Sequence, residues 1–199
     1  MGLEPTTLGT TNRCSNQLSY DRHSPSARTR KVLARRARPL RGMSVRCKQS
    51  EPPMPLDHPH ATLRKFGYPH SLLHEGEHWA VLVRPAQPTL GSLVLCATSE
   101  HLSYGDLPAE AFAEQGRLVA RIERTLKAFC NHEKLNYLML MMVDPHIHFH
   151  VLPRYSGERQ WQGITFPDSG WPGLPDLTRT TTSSKQLIGG MRDEWTAAG

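Results

Sequence analysis

Between His146 and Val151 the chain alternates imidazoles with large apolar side chains, in the order His-Ile-His-Phe-His-Val. Successive side chains of a strand point to opposite faces, so a period of two places His146, His148 and His150 on one face and Ile147, Phe149 and Val151 on the other. A helix would scatter the same residues around its axis. The alternation therefore predicts a strand that anchors itself through one face and offers three imidazoles on the other.

The neighbouring sequence supplies a sheet for that strand. Leu135 to Val143 is a nearly continuous apolar run, expected in a sheet interior, with its methionines filling core. Asp144-Pro145 is then long enough only for a turn, so the histidine strand should pair antiparallel with the methionine strand. Upstream, Ser71 to Glu75 and His78 to Val83 read as strands joined by a turn at Gly76. The proline-punctuated loop from Arg84 to Gly91 leads to a third strand, Ser92 to Ala97. Pro108 opens a long helix with an expected apolar stripe of Phe112, Val119, Ile122, Leu126 and Phe129, which Asn131 to Lys134 ends. Five largely sequential strands and two helices predict an α+β domain built on an antiparallel sheet.

The two ends differ from this middle. Up to Ser50 the chain holds eleven basic residues against Glu4 and Asp21, whereas the remainder is slightly acidic. The overall charge of +6 thus comes from the N-terminal segment and gives no ground for a nucleic-acid footprint on the folded domain. Residues 1–50 are rich in Arg, Ser and Thr, include the basic stretch Ala27 to Arg38, and are expected to be an organelle transit peptide. Val45-Arg46-Cys47-Lys48 resembles the loose cleavage consensus of chloroplast presequences, with the mitochondrion as the alternative. Residues 51–59 read as a proline-rich linker, and 60–155 as the folded domain that carries the histidine strand. Residues 156–199 read as an extended arm carrying Trp161, Phe166 and Trp171, laid over the sheet or a neighbouring subunit. A final helix, capped by Ser183-Ser184 and weakened by Gly189 and Gly190, is expected to run to about Ala197.

Other classes find no support. Cys14, Cys47, Cys96 and Cys130 show no Cys-x-x-Cys spacing, so neither a disulfide framework nor a cysteine zinc site is indicated. The longest apolar run is far short of the roughly 18–20 residues that span a bilayer, so no membrane partner is expected.

Three imidazoles on one face suit two chemistries. One is attack on phosphorus, where the middle ring has one nitrogen held by a backbone carbonyl and attacks with the other, while a flanking ring stabilises the phosphate oxygens. The other is metal binding through ligands at i and i+2. Spacing alone does not separate them.

His146 to Leu152 satisfies every position of the histidine-φ-histidine-φ-histidine-φ-φ signature, φ being hydrophobic, and the chain thereby resembles the histidine triad family. The order of elements is also similar: Trp79 to Val83, a proline loop ending at Gly91, Ser92 to Leu95, and Asp106-Leu107-Pro108 before the long helix. With Pro153-Arg154 after the motif, the layout is most similar to the fragile-histidine-triad branch, over about residues 60 to 155. The resemblance implies a five-stranded antiparallel sheet with one long helix packed on it and a C-terminal helix. It implies a nucleotide hydrolase or nucleotidyl transferase acting on a dinucleoside polyphosphate, a nucleoside phosphoramidate or a similar adenylylated compound, with no cofactor or catalytic metal and commonly as a homodimer. It gives His148 as the nucleophile, His150 as the phosphate contact and His146 as the residue that orients them.

The chain departs from the better-known branches before the triad, where Met141 to Pro145 replaces a segment with Gly and Gln or Ser. Asp144 brings a carboxylate close to the expected phosphate, unless it orients His146 or faces away. Val83-Arg84 stands where many members carry an acid or Asn that reads the ribose. Asn136, Arg154 and Tyr155 are the further candidates for substrate contact, against a structural reading in which they serve packing and a salt bridge. The alternatives to the enzyme are a nucleotide-binding module without turnover and a metal-dependent hydrolase.

Overall fold

The computed structural model describes residues 58–199. The expected transit peptide and most of the expected linker lie outside the described residues. The domain begins with a short helix α1 (Ala61–Lys65), whose cap His60 accepts the Leu63 N–H through Nδ1. Strands β1 (Leu72–Glu75) and β2 (Trp79–Val83) form a hairpin. A Cβ at position 76 of its turn would lie 2.1 Å from a Glu114 carboxylate oxygen, so a larger residue there would push that carboxylate aside. That carboxylate accepts the backbone N–H groups of His78 and Trp79.

Strand β3 (Ala86–Gln87) and β4 (Leu93–Ala97) follow, then a 3-10 turn at Tyr104–Asp106 and helix α2 (Ala109–Cys130). Pro108 is the residue just before α2, and Asn131 closes it in the left-handed region at φ 46°. Strands β5 (Lys134–Leu138) and β6 (His148–Arg154) complete a five-stranded antiparallel sheet of order β1-β2-β4-β6-β5. The α+β architecture is the expected one. Among the described residues no helix is long and apolar enough to cross a membrane.

Both faces of this sheet are covered, which is why β2 and β4 are apolar and buried along their whole length. On one face Val81, Leu95, Ile147 and Val151 pack under Leu118, Ile122 and Leu126 of α2. On the other, Ala80, Leu82, Val94 and Cys96 pack under Leu63, Phe66 and Tyr68 of the α1 region. The second, smaller cluster shares its face with the histidines.

Two expectations hold only in part. Ile122 and Leu126 of the expected α2 stripe are buried in the core and Val119 and Phe129 pack against it, joined by Ala111, Leu118 and Cys130, whereas Phe112 is exposed and packs edge-on against Tyr104. The methionine segment is also not an interior strand. β5 ends at Leu138 at the sheet edge, and Met139 to Val143 leave it, with Met142 98 % exposed and Val143 80 % exposed. The connection to β6 is therefore a loop rather than the two-residue turn expected at Asp144-Pro145.

The C-terminal segment folds back on its own domain. Hairpin β7 (Glu158–Trp161) and β8 (Ile164–Pro167) precedes β9 (Thr181–Thr182), which pairs with β3. Ser184 caps α3 (Lys185–Ala197), and its Oγ accepts the Leu187 N–H at 3.1 Å. Leu187, Met191 and Trp195, one per turn, bury α3 in the same core as α2. Gly190 is required there: a Cβ would fall 2.5 Å from the Trp161 ring, which itself packs on Phe129.

Candidate active site

Strand β6 lies between β4 and β5, with His148 opposite Cys96 and His150 opposite Val94 and Leu138. Pairing on both sides fixes the register, so both imidazoles emerge on the α1 face while Phe149 and Val151 enter the α2 core. The two rings meet perpendicular, 5.0 Å between centroids.

The nitrogen roles of His148 follow from its surroundings. Its Nδ1 is 2.8 Å from the backbone carbonyl of His146, and a carbonyl only accepts, so Nδ1 carries the proton. In the neutral ring Nε2 then holds the lone pair. That Nε2 is buried and has no hydrogen-bond partner. The residue is fully buried, and the Phe66 ring lies 5.5 Å from His148 and 5.5 Å from His150.

His146 departs from the expected strand geometry. β6 starts two residues later, and His146 sits in the approach to it, on the α1 side. Its Nε2 donates to the Glu100 carboxylate at 2.8 Å, and its Nδ1 is hydrogen-bonded to the Thr62 hydroxyl at 3.0 Å. Its ring stacks on His60, 4.0 Å apart and 13° from parallel. His60 is fixed in turn by donating Nε2–H to the Ala97 carbonyl at 2.8 Å, and burial holds its pKa below the usual histidine value. His60, Thr62 and Glu100 are thus parts of the site that the sequence reading missed. The motif marked none of them, since His60 and Thr62 depend on α1 folding over the sheet and Glu100 on the pairing of β4 with β6.

Beside His150 opens a cavity of about 650 Å³, bordered by Lys65, Phe66, Arg84, residues 139–144 and His150 itself. Burial and then the nearby Arg84 charge lower the His150 pKa to about 4, so this imidazole is neutral at pH 7. Asp144 does face this region, but the Lys65 ammonium lies 2.7 Å from each of its oxygens. The carboxylate that looked awkward for a phosphate is therefore already paired. The exposed methionine loop forms the apolar wall of the cavity.

Asn136, Arg154 and Tyr155 are placed elsewhere. Arg154 stands six residues along β6 from His148, roughly 20 Å at strand rise. It is buried and makes four side-chain hydrogen bonds: Nε and Nη2 donate to Asp168 at 2.6 and 3.2 Å, Nη1 to Asn136 Oδ1 at 2.7 Å, and Nη2 also to the Gly173 carbonyl at 3.1 Å. Tyr155 points to the opposite face, where its hydroxyl accepts the Leu90 N–H and donates to the Phe166 carbonyl. None of the three borders the cavity beside His150. The site gathers Phe66, Arg84 and the Lys65–Asp144 pair around His148 and His150 instead.

A three-histidine metal site does not fit this arrangement. Both nitrogens of His146 are engaged by Glu100 and Thr62, and Nδ1 of His148 is engaged by a carbonyl. Among the described residues no group of three or more His, Cys, Asp or Glu side chains is placed to hold a metal ion.

No protein-family model matches the sequence, and no curated protein is similar to it in sequence. Solved structures do match in fold. A histidine triad protein from Sinorhizobium meliloti aligns over 68 % of this chain and 92 % of its own, at 16 % identity and a TM-score of 0.54. One from Bradyrhizobium japonicum aligns over 68 % of this chain and 95 % of its own, at 18 % identity and a TM-score of 0.48. A hypothetical histidine triad nucleotide-binding protein from Sulfolobus tokodaii aligns over 64 % of this chain and 82 % of its own, at 16 % identity and a TM-score of 0.46. The described domain has the histidine triad fold.

Proposed function

We propose that the protein is a nucleotide hydrolase or nucleotidyl transferase that works through a covalent nucleotidyl-histidine intermediate on His148. One observation carries this reading: the His148 ring is locked by the His146 carbonyl through Nδ1, with Nε2 buried and unpartnered and the ring edge-on to His150, which borders the cavity. The Nε2 lone pair attacks the α-phosphorus of an adenylylated substrate, a new N–P bond forms, and the bond to the leaving group breaks. The ring of the intermediate keeps its Nδ1–H and gains positive charge, which the His146 carbonyl stabilises. Water then attacks the same phosphorus, returns the lone pair to Nε2 and releases the nucleotide. A dinucleoside polyphosphate, a nucleoside phosphoramidate or a related adenylylated compound supplies such a phosphorus, and the layout favours the fragile-histidine-triad type of substrate. Homodimerisation and plastid import belong to the same proposal.

Rapid quenching of the protein with diadenosine polyphosphate, followed by intact mass measurement, tests the reading. One nucleotidyl group is expected on wild type and none on His148→Ala, with turnover lost in the variant. Turnover that survives His148→Ala would falsify it. The closure of His148 beneath Phe66 favours, as the second reading, a binding module without turnover. That reading requires calorimetric nucleotide binding with no product after hours of incubation.

A further inference from the structure

The cavity beside His150 has an uneven charge distribution. Its wall carries two cations, Lys65 and Arg84, and one carboxylate, Asp144, which Lys65 engages through both oxygens. Arg84 makes no ion pair among the described residues. One of its Nη atoms donates to the Ala86 carbonyl, and its Nε is buried without a partner. Burial lowers its pKa, but a guanidinium keeps its charge at neutral pH. A half-buried cation without a counter-ion is costly in a folded protein unless a ligand supplies the negative charge.

The imidazole that borders the cavity does not supply positive charge there. His150 is held neutral, in part by Arg84 itself. An anion in the cavity therefore finds Arg84 without a carboxylate partner, and Lys65, the more exposed member of its pair, if it displaces Asp144. The volume of about 650 Å³ far exceeds one phosphate group, and the apolar part of the lining, Met139 to Val143 and Phe66, suits an apolar or aromatic moiety.

We propose that Arg84, assisted by Lys65, is an anion subsite for a second charged group of the substrate, adjoining the phosphate at His150. It selects pyrophosphate-linked nucleotides over nucleotides that carry a single phosphate. The proposal rests on the nucleotide reading of the site, but it concerns binding rather than transfer. A purely structural Arg84 would support the loop after β2 through the Ala86 carbonyl and would not distinguish ligands by charge.

The test is calorimetric titration of the full chain with ADP and with AMP at matched ionic strength, for wild type, Arg84→Met, Arg84→Lys and Lys65→Gln. Charge-assisted hydrogen bonds to the extra phosphate predict that wild type binds ADP about 30-fold tighter than AMP. Arg84→Met brings the ratio to within about threefold, Arg84→Lys keeps part of the preference, and Lys65→Gln lowers it several-fold. Equal affinities in wild type, or a loss in Arg84→Met that is the same for both ligands, overturn the subsite. Should Arg84→Met not fold, Lys65→Gln decides, and an unchanged ratio there overturns the proposal. Failure to form the adduct on His148 removes the transfer chemistry and leaves this preference standing, so the two readings fail separately.

Discussion

The Nδ1–H of His148 donates to the backbone carbonyl of His146 at 2.8 Å, so the residue two positions upstream sets the tautomer of the proposed nucleophile. A carbonyl cannot donate, which leaves one arrangement for the neutral ring. The expected outcome is a 15N spectrum of labelled protein in which His148 shows a protonated Nδ1 and an unprotonated Nε2 near neutral pH. The reverse tautomer would remove the observation on which the proposed chemistry rests.

Phe66 covers both His148 and His150, and removing part of its ring should uncover the nucleophile. Phe66→Leu keeps apolar volume in the cluster with Leu63, Leu82 and Val94, so the stability loss is expected to be about 1–2 kcal/mol. Modification of His148 by diethyl pyrocarbonate, followed by peptide mass analysis, is expected to be slow in wild type and faster in Phe66→Leu. An equal rate in both would show that Phe66 does not control access to His148.

His150 gives the fold a defined response to acid. Its pKa in the folded chain is lowered to about 4, by burial first and by Arg84 next, whereas an unfolded histidine titrates near 6.5. The unfolded chain thus binds the proton first, and this contribution to stability is complete above about pH 6.5 and is lost as the pH falls towards 4. His60, His74 and His132 are shifted the same way, mainly by burial, so the single variant reports only a share. Urea unfolding at pH 7 and pH 5 should show a stability loss about 1–2 kcal/mol smaller in His150→Asn than in wild type. A variant with the same loss would show that His150 titrates normally.

The sheet was legible because its signals are local. Alternation from His146 to Val151, the apolar runs at Trp79–Val83 and Leu93–Ala97, and the Gly76 turn each fix a piece of backbone without help from distant residues. The methionine segment misled because an apolar run looks alike whether it fills a core or borders a cavity. Nothing within Met139 to Val143 says that β6 already has its second neighbour by Leu138. The site's surroundings were illegible for a related reason. His60 and Thr62 reach His146 through the packing of α1 on the sheet, Thr62 across 84 residues, and Glu100 reaches it across 46 from the segment after β4, the strand that pairs with β6. Arg154 follows the motif in sequence, yet strand rise carries it to the far end of β6, where Asp168 from the C-terminal segment takes it up.

That last pairing predicts a structural role for Arg154. Arg154 and Asp168 are both almost fully buried, and Asp168 also accepts the Tyr155 and Gly170 N–H groups at 3.3 Å each. Asp168→Asn leaves the Arg154 charge buried without its counter-ion, a change that costs about 3–5 kcal/mol. For a domain with an ordinary margin of about 5–15 kcal/mol, this is a large share of the total stability. The double variant Arg154→Met/Asp168→Leu removes both charges and is expected to recover most of the loss, as read from urea midpoints. Its labelling on His148 should match wild type, since neither residue borders the cavity. Loss of labelling in a double variant that unfolds at the wild-type urea midpoint would return Arg154 to the substrate site.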